Sequence, residues 1–210
     1  MGLQAMRLRT ALFATALTAV AAVPGAYAFP PPGVPDTTNP GLLTGNGTDA
    51  KAIFAFQDAG DTDLLLLMGF GGNPIFNNHT DAIGTTKDLG VLSGGQEFEL
   101  NNLNTNTLFL SDVADSQGNF HVHYSTNFAD FGVGALPAAA ATAIGNLPAG
   151  SSVIFAGWED LRGNQGGDFD YNDLIFAFSN LTPPSVPEPA TLTLVGAGLV
   201  GLALARRRRK

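Results

Sequence analysis

The stretch GGDFDYNDLIF (residues 166–176) sets Asp168, Asp170, Asn172 and Asp173 within six residues and runs straight into an apolar segment, LIFAF. Side chains of this kind offer only hard oxygen donors. A calcium ion takes six to eight such oxygens from carboxylates, amide carbonyls and backbone carbonyls. Just upstream, Glu159 and Asp160 close the apolar run SVIFAGW. A hairpin with GNQGG at its tip would bring them beside the aspartates. Carboxylates held that close repel, by about 4 kcal/mol at 4 Å and an effective dielectric near 20, and a divalent ion reverses the sign. Glu159, Asp160, Asp168, Asp170, Asn172 and Asp173 are therefore the candidate metal ligands, with calcium as the expected ion.

The spacing is not that of an EF-hand loop. Counted from Asp168, the sixth position is Asp173 where glycine is required, and the twelfth is Ser179 where glutamate belongs. A second reading keeps the same hairpin without a metal, its Asp and Asn side chains capping turn backbone groups. An earlier segment, DAGDTD, holds Asp58, Asp61 and Asp63. It reads as a polar hairpin turn, with a second acidic site as the alternative. His121 and His123 in NFHVHY share one face of a strand but lack an identifiable third zinc ligand, so they read as exposed strand histidines. No nucleophile elbow, catalytic triad or phosphate loop is recognisable, and the expectation is a protein that is not an enzyme.

The elements that must position these groups are short. KAIFAF, DLLLLMGF, EFEL, TLFL, NFHVHY, SVIFAGW and DLIFAF each have strand length, and turn chemistry such as DAGDTD, SGGQ, DSQGN and GNQGGD separates them. The expected fold is all-β, a single antiparallel, jelly-roll-like β-sandwich. One helix is predicted at Pro137–Gly145, with proline at its first position and glycine at its end.

The two ends of the chain read differently. Arg7 and Arg9, the apolar run from Ala11 to Val23 and the sequence Ala26-Tyr27-Ala28 describe a signal peptide over residues 1–28. A flexible leader rich in Pro and Gly is expected over 29–47, the sandwich over 48–181 and a proline-rich linker over 182–189. Residues 190–205 read as a C-terminal transmembrane helix, short enough to need thinning of the bilayer, and residues 206–210, RRRRK, as a basic cytoplasmic tail. Between the basic ends stand three basic residues, Lys51, Lys87 and Arg162, against all eighteen acidic ones, a formal charge of −15. Such a surface repels nucleic acid. The absence of cysteine excludes disulfides and thiolate metal sites, so stability must come from the core, with metal ions as candidate cross-links.

Pro187-Glu188-Pro189, the apolar run and the arginine cluster together resemble the PEP-CTERM sorting signal of Gram-negative bacteria. That resemblance implies processing by an exosortase-type enzyme, transient residence in the inner membrane through 190–205, and delivery to the cell surface or an extracellular matrix. Exopolysaccharide is the candidate partner there. Trp158-Glu159-Asp160-Leu161, the Gly-rich loop, Asp168-x-Asp170-Tyr171-Asn172-Asp173 and LIF are also similar to an uncharacterised extracellular domain family found in PEP-CTERM proteins and large adhesins. This second resemblance implies a β-sandwich and calcium binding. A calcium-dependent carbohydrate-binding module is the alternative, with Trp158 and Tyr171 as its candidate sugar-stacking aromatics. A polysaccharide-active enzyme is the third reading.

Overall fold

A computed structural model describes residues 29–184, Pro32 and Phe70 excepted. The expected signal peptide, the sorting motif, the apolar segment and the basic tail lie outside the described residues. Ten strands follow in chain order: β1 (Leu43–Gln57), β2 (Asp63–Leu67), β3 (Phe76–Asn77), β4 (Thr86–Gln96), β5 (Phe98–Asn102), β6 (Thr107–Leu110), β7 (Val122–Ser125), β8 (Val153–Trp158), β9 (Leu174–Ser179) and β10 (Leu181–Thr182). One helix, α1 (Ala138–Gly145), stands where the sequence predicts it, with Pro137 as its N-cap.

The strands form two antiparallel sheets, as expected for an all-β sandwich. In the larger, β1 is flanked by β4 on one edge and by β9 and then β10 on the other, and β8 and β7 continue outward from β9. The smaller has the order β3-β2-β5-β6. Leu174, Phe176 and Phe178 of β9 face the smaller sheet, where the Phe176 ring stacks on Phe54 at 5.3 Å and on Phe76 at 5.5 Å. Ile175 and Ala177 face the opposite way, into a second core closed by Phe128, Phe131 and Ala140 of α1. Burial on both faces is why LIFAF is a continuous apolar run rather than an alternation. In β2 and β5 of the smaller sheet, buried and half-buried positions do alternate, because only one face is covered.

Two expectations are corrected. The segment expected as a flexible leader, 29–47, already contains the start of β1 at the fully buried Leu43. Ahead of it the chain is fastened by long-range contacts. The Asp36 N–H donates to the Tyr171 hydroxyl at 2.7 Å, Phe120 N–H donates to the Asp36 carbonyl at 2.8 Å, and the Phe29 ring lies 4.2 Å from that of His123. Proline and glycine marked the turns there, but the anchors are single residues with no periodicity. The second correction concerns SGGQ (93–96), expected as a turn. It is the end of β4, with Gly94 opposite Gly45 and Gly95 opposite Thr44. Glycine is needed at 45 because a Cβ there would collide with the Leu92 carbonyl. Backbone pairing rather than side-chain pattern specifies this ladder.

Candidate metal centre

Strands β8 and β9 pair so that Trp158 lies opposite Leu174, which sets Glu159-Asp160 and Asp173 side by side just beyond the ladder. The Asp160 N–H closes the junction by donating to Asp173 Oδ2 at 2.9 Å. The connecting loop makes a 3-10 turn at Gly163–Gln165 and a left-handed step at Gly166. It then carries two non-glycine residues at positive φ, Phe169 (52°) and Tyr171 (58°). Such residues are uncommon and hold only where surroundings over-determine them. Here both rings are buried, and the Tyr171 hydroxyl donates to the Phe120 carbonyl at 3.1 Å. The loop lies so close to β8 that a Cβ on Gly157 would strike the Tyr171 carbonyl and the Phe131 ring. A Cβ on Gly167 would strike the Leu161 carbonyl and press on Glu159 Oε1 at 2.9 Å.

Of the six candidate ligands, Glu159, Asp168 and Asp173 form the tight group, each offering a carboxylate oxygen within 4.8 Å of the others. Glu159 is 1% exposed, and its Oε2 has no hydrogen-bond partner. Burial, then the charges of Asp173 and Asp168, push its carboxyl up to about 9. Burial and the neighbouring Asp160 and Asp168 carboxylates push Asp173 up to about 7, against the pull of the Asp160 N–H. Asp160, 4% exposed, lies within hydrogen-bonding reach of Asp173 and is pushed up to about 6 by burial and by Asp63 and Asp61. Asp170 and Asn172 stand outside the tight group. The Asp170 carboxylate accepts the Asn172 N–H at 3.2 Å and its side-chain amide at 2.6 Å, so these two form a local turn.

DAGDTD, read from sequence as a polar hairpin turn with a second acidic site as the alternative, reaches the same region. This segment links β1 to β2, and the Asp58 and Ala59 N–H groups both donate to the Asp173 carbonyl, at 2.8 and 3.1 Å. Asp63 is 1% exposed and lies within hydrogen-bonding reach of Asp160; burial and then Asp61 push it up to about 7. Its signal was the density of acids, which alone does not distinguish a turn from a site. Among the described residues, the lysine ion pairs, Lys51–Asp88 and Lys87–Asp81, involve acids elsewhere. The donor set is all oxygen, and among the described residues no lysine or arginine ion pair reaches it. That chemistry fits calcium. Glu159, Asp168 and Asp173 would hold the ion, which would supply charge neutralisation and a cross-link between β8 and the loop.

The histidine expectation is overturned. His121 and His123 are both 1% exposed, and each has its own aspartate. His121 Nε2 lies 3.1 Å from Asp115 Oδ2, its Nδ1 lies 3.2 Å from the Glu159 carbonyl, and its ring stacks on Phe109 at 3.9 Å. His123 Nδ1 lies 3.5 Å from Asp36 Oδ2. The outer face of β7 is covered by the leader and the loop, so period-two alternation does not imply exposure there. The proposed sugar-stacking aromatics are overturned too. Trp158 and Tyr171 are both 0% exposed, so neither ring presents a face to solvent.

Residues 185–209 match the family model of the PEP-CTERM protein-sorting motif. The match includes Pro187, Glu188 and Pro189 and stops short of the β domain. Neither the curated proteins nor the solved structures hold a match to this chain. The chain thus carries a PEP-CTERM sorting signal, which implies an exported protein, sorted by exosortase across the inner membrane to a surface-associated location. Among the described residues no helix is long and apolar enough to cross a membrane.

Proposed function

We propose that the chain is a non-enzymatic component of the cell surface or exopolysaccharide matrix of a Gram-negative bacterium, its β-sandwich locked by calcium. The observation that carries this reading is the convergence of Glu159, Asp168 and Asp173 within 4.8 Å, with a buried glutamate oxygen lacking any partner. Export supports it, since extracellular calcium modules work at millimolar calcium with dissociation constants of about 10⁻⁴–10⁻³ M. The charge of −15 between the basic ends favours cation uptake. A calcium-dependent glycan-binding module is the weaker reading, because its two candidate platform aromatics are core residues.

The test is the melting temperature of residues 29–184 with calcium and after chelation, compared with an Asp168→Asn/Asp173→Asn double variant. Calcium should raise the wild-type midpoint and leave the variant unmoved. A wild-type midpoint indifferent to calcium and to other divalent ions would sink the reading.

A further inference from the structure

We infer that the acidic centre takes two cations rather than one, the second bound by Asp63 and Asp160 with Asp61 beside them, where it staples the smaller sheet to the larger. The inference rests on the calcium reading of Glu159, Asp168 and Asp173. Asp63 belongs to β2 in the smaller sheet, whereas Asp160 follows β8 in the larger. Their carboxyls nonetheless lie within hydrogen-bonding reach of each other. Asp63 is 1% exposed; apart from the Asp160 carboxyl, its Oδ1 meets no hydrogen-bond donor and its Oδ2 meets only the Asn78 amide at 3.4 Å. A buried carboxylate oxygen left bare costs a desolvation penalty that a hydrogen bond or an ion must offset.

The side chains that surround these acids are neutral amides, which hold the backbone here without neutralising the carboxylates. Asn102 is 0% exposed, and its amide donates both to Asp61 Oδ2 at 2.9 Å and to the Asp160 carbonyl at 3.1 Å. Asn78 is 3% exposed; its amide donates to the Asp61 carbonyl at 2.8 Å, and its Oδ1 accepts the Asp63 N–H at 2.9 Å. Two buried asparagines thus fix three aspartates from outside while contributing no charge. Asp61, Asp63 and Asp160 fall outside the tight group of Glu159, Asp168 and Asp173, so a single ion on that group leaves Asp63 Oδ1 bare. A second oxygen-seeking ion between β2 and the end of β8 satisfies it.

The rival arrangement is a proton shared between Asp63 and Asp160, and Asp63→Asn separates the two. Asparagine mimics a protonated aspartate, so a proton-sharing pair tolerates it, whereas a cation site loses a ligand. The experiment counts bound calcium on the full-length chain in detergent by native mass spectrometry and by equilibrium dialysis. Two ions on the wild type, one on Asp63→Asn and one on Asp168→Asn are expected. One ion on the wild type overturns the inference and leaves the calcium reading standing, whatever the folding of Asp63→Asn. Two ions on a folded Asp63→Asn overturn it as well. No ion on the wild type overturns both.

Discussion

Two sets of acids lie near β7 and β8, one beside histidines and one beside other carboxylates, and they behave in opposite ways. Burial pushes the Asp115 carboxyl up, but hydrogen bonds from the Asn119 N–H, His121 and the Gln117 N–H outweigh it and hold the acid below its usual range. Asp36 follows the same pattern: the Thr38 N–H donates to its Oδ1 at 2.8 Å, and His123 Nδ1 lies 3.5 Å from its Oδ2. Glu159 and Asp173 are more deeply desolvated, and their neighbours are carboxylates rather than donors, so both are pushed up. The fold can bury a carboxylate beside a donor or beside another carboxylate. Only the second arrangement sets carboxylates against one another without a donor to offset burial, and that is the pattern the calcium reading accounts for.

The comparison breaks most visibly on calcium removal. At a calcium concentration about a hundred times the dissociation constant, binding contributes about 2.7 kcal/mol. Chelation should therefore lower the melting temperature of a domain this size by roughly 5–10 °C. An Asp115→Asn variant should lose about 1–3 kcal/mol by leaving His121 with a weaker partner, and equally with or without calcium. Denaturant midpoints in both conditions check that indifference.

The next effect is on the sign of the pH dependence. In calcium-free protein, Glu159 and Asp173 bind protons more tightly folded than unfolded, so their contribution falls as pH rises from about 4 toward about 9. His121 works the other way. Burial first, and nearby Arg162 last, hold its pKa below 6.5 despite Asp115, so the unfolded chain takes up the proton first and stability falls as pH drops through and below 6.5. Midpoints between pH 5 and 8 should decline toward high pH without calcium and toward low pH with it; parallel slopes would refute the contrast. Smallest is Glu159→Gln. With its carboxyl pushed up to about 9, Glu159 is protonated in the calcium-free protein at neutral pH, so the amide should leave calcium-free stability within about 0.5 kcal/mol while reducing the calcium-induced rise in melting temperature.

The part of this centre carried by neighbouring strands was legible in the sequence. SVIFAGW and LIFAF are continuous apolar runs with a glycine-rich connection between them, and that alone brings Glu159 and Asp160 to Asp173. The contribution of Asp63 was not legible, because it depends on how two sheets face each other, which no local pattern encodes. β4 was hidden by its glycines: Gly90 and Gly94 take positive φ, and Gly95 lies against the Leu42 side chain, so none of them marks a buried face. His121 and His123 misled because alternation in β7 distinguishes two faces without saying what covers each. The partners that bury them, Asp115 and Asp36, come from a turn and from the leader.

The position of β10 has a mechanical consequence. The sorting tail leaves the domain just after a two-residue ladder, Thr44 with Thr182 and Gly45 with Leu181, where Pro184 lies against Gly41. Tension on that tail meets this short ladder first, and its few hydrogen bonds peel one after another. The acidic centre sits at the far end of β9, about 20 Å away along a six-residue strand. A pull on the tail would therefore load this short ladder before it reached the acidic residues beyond the other end of β9.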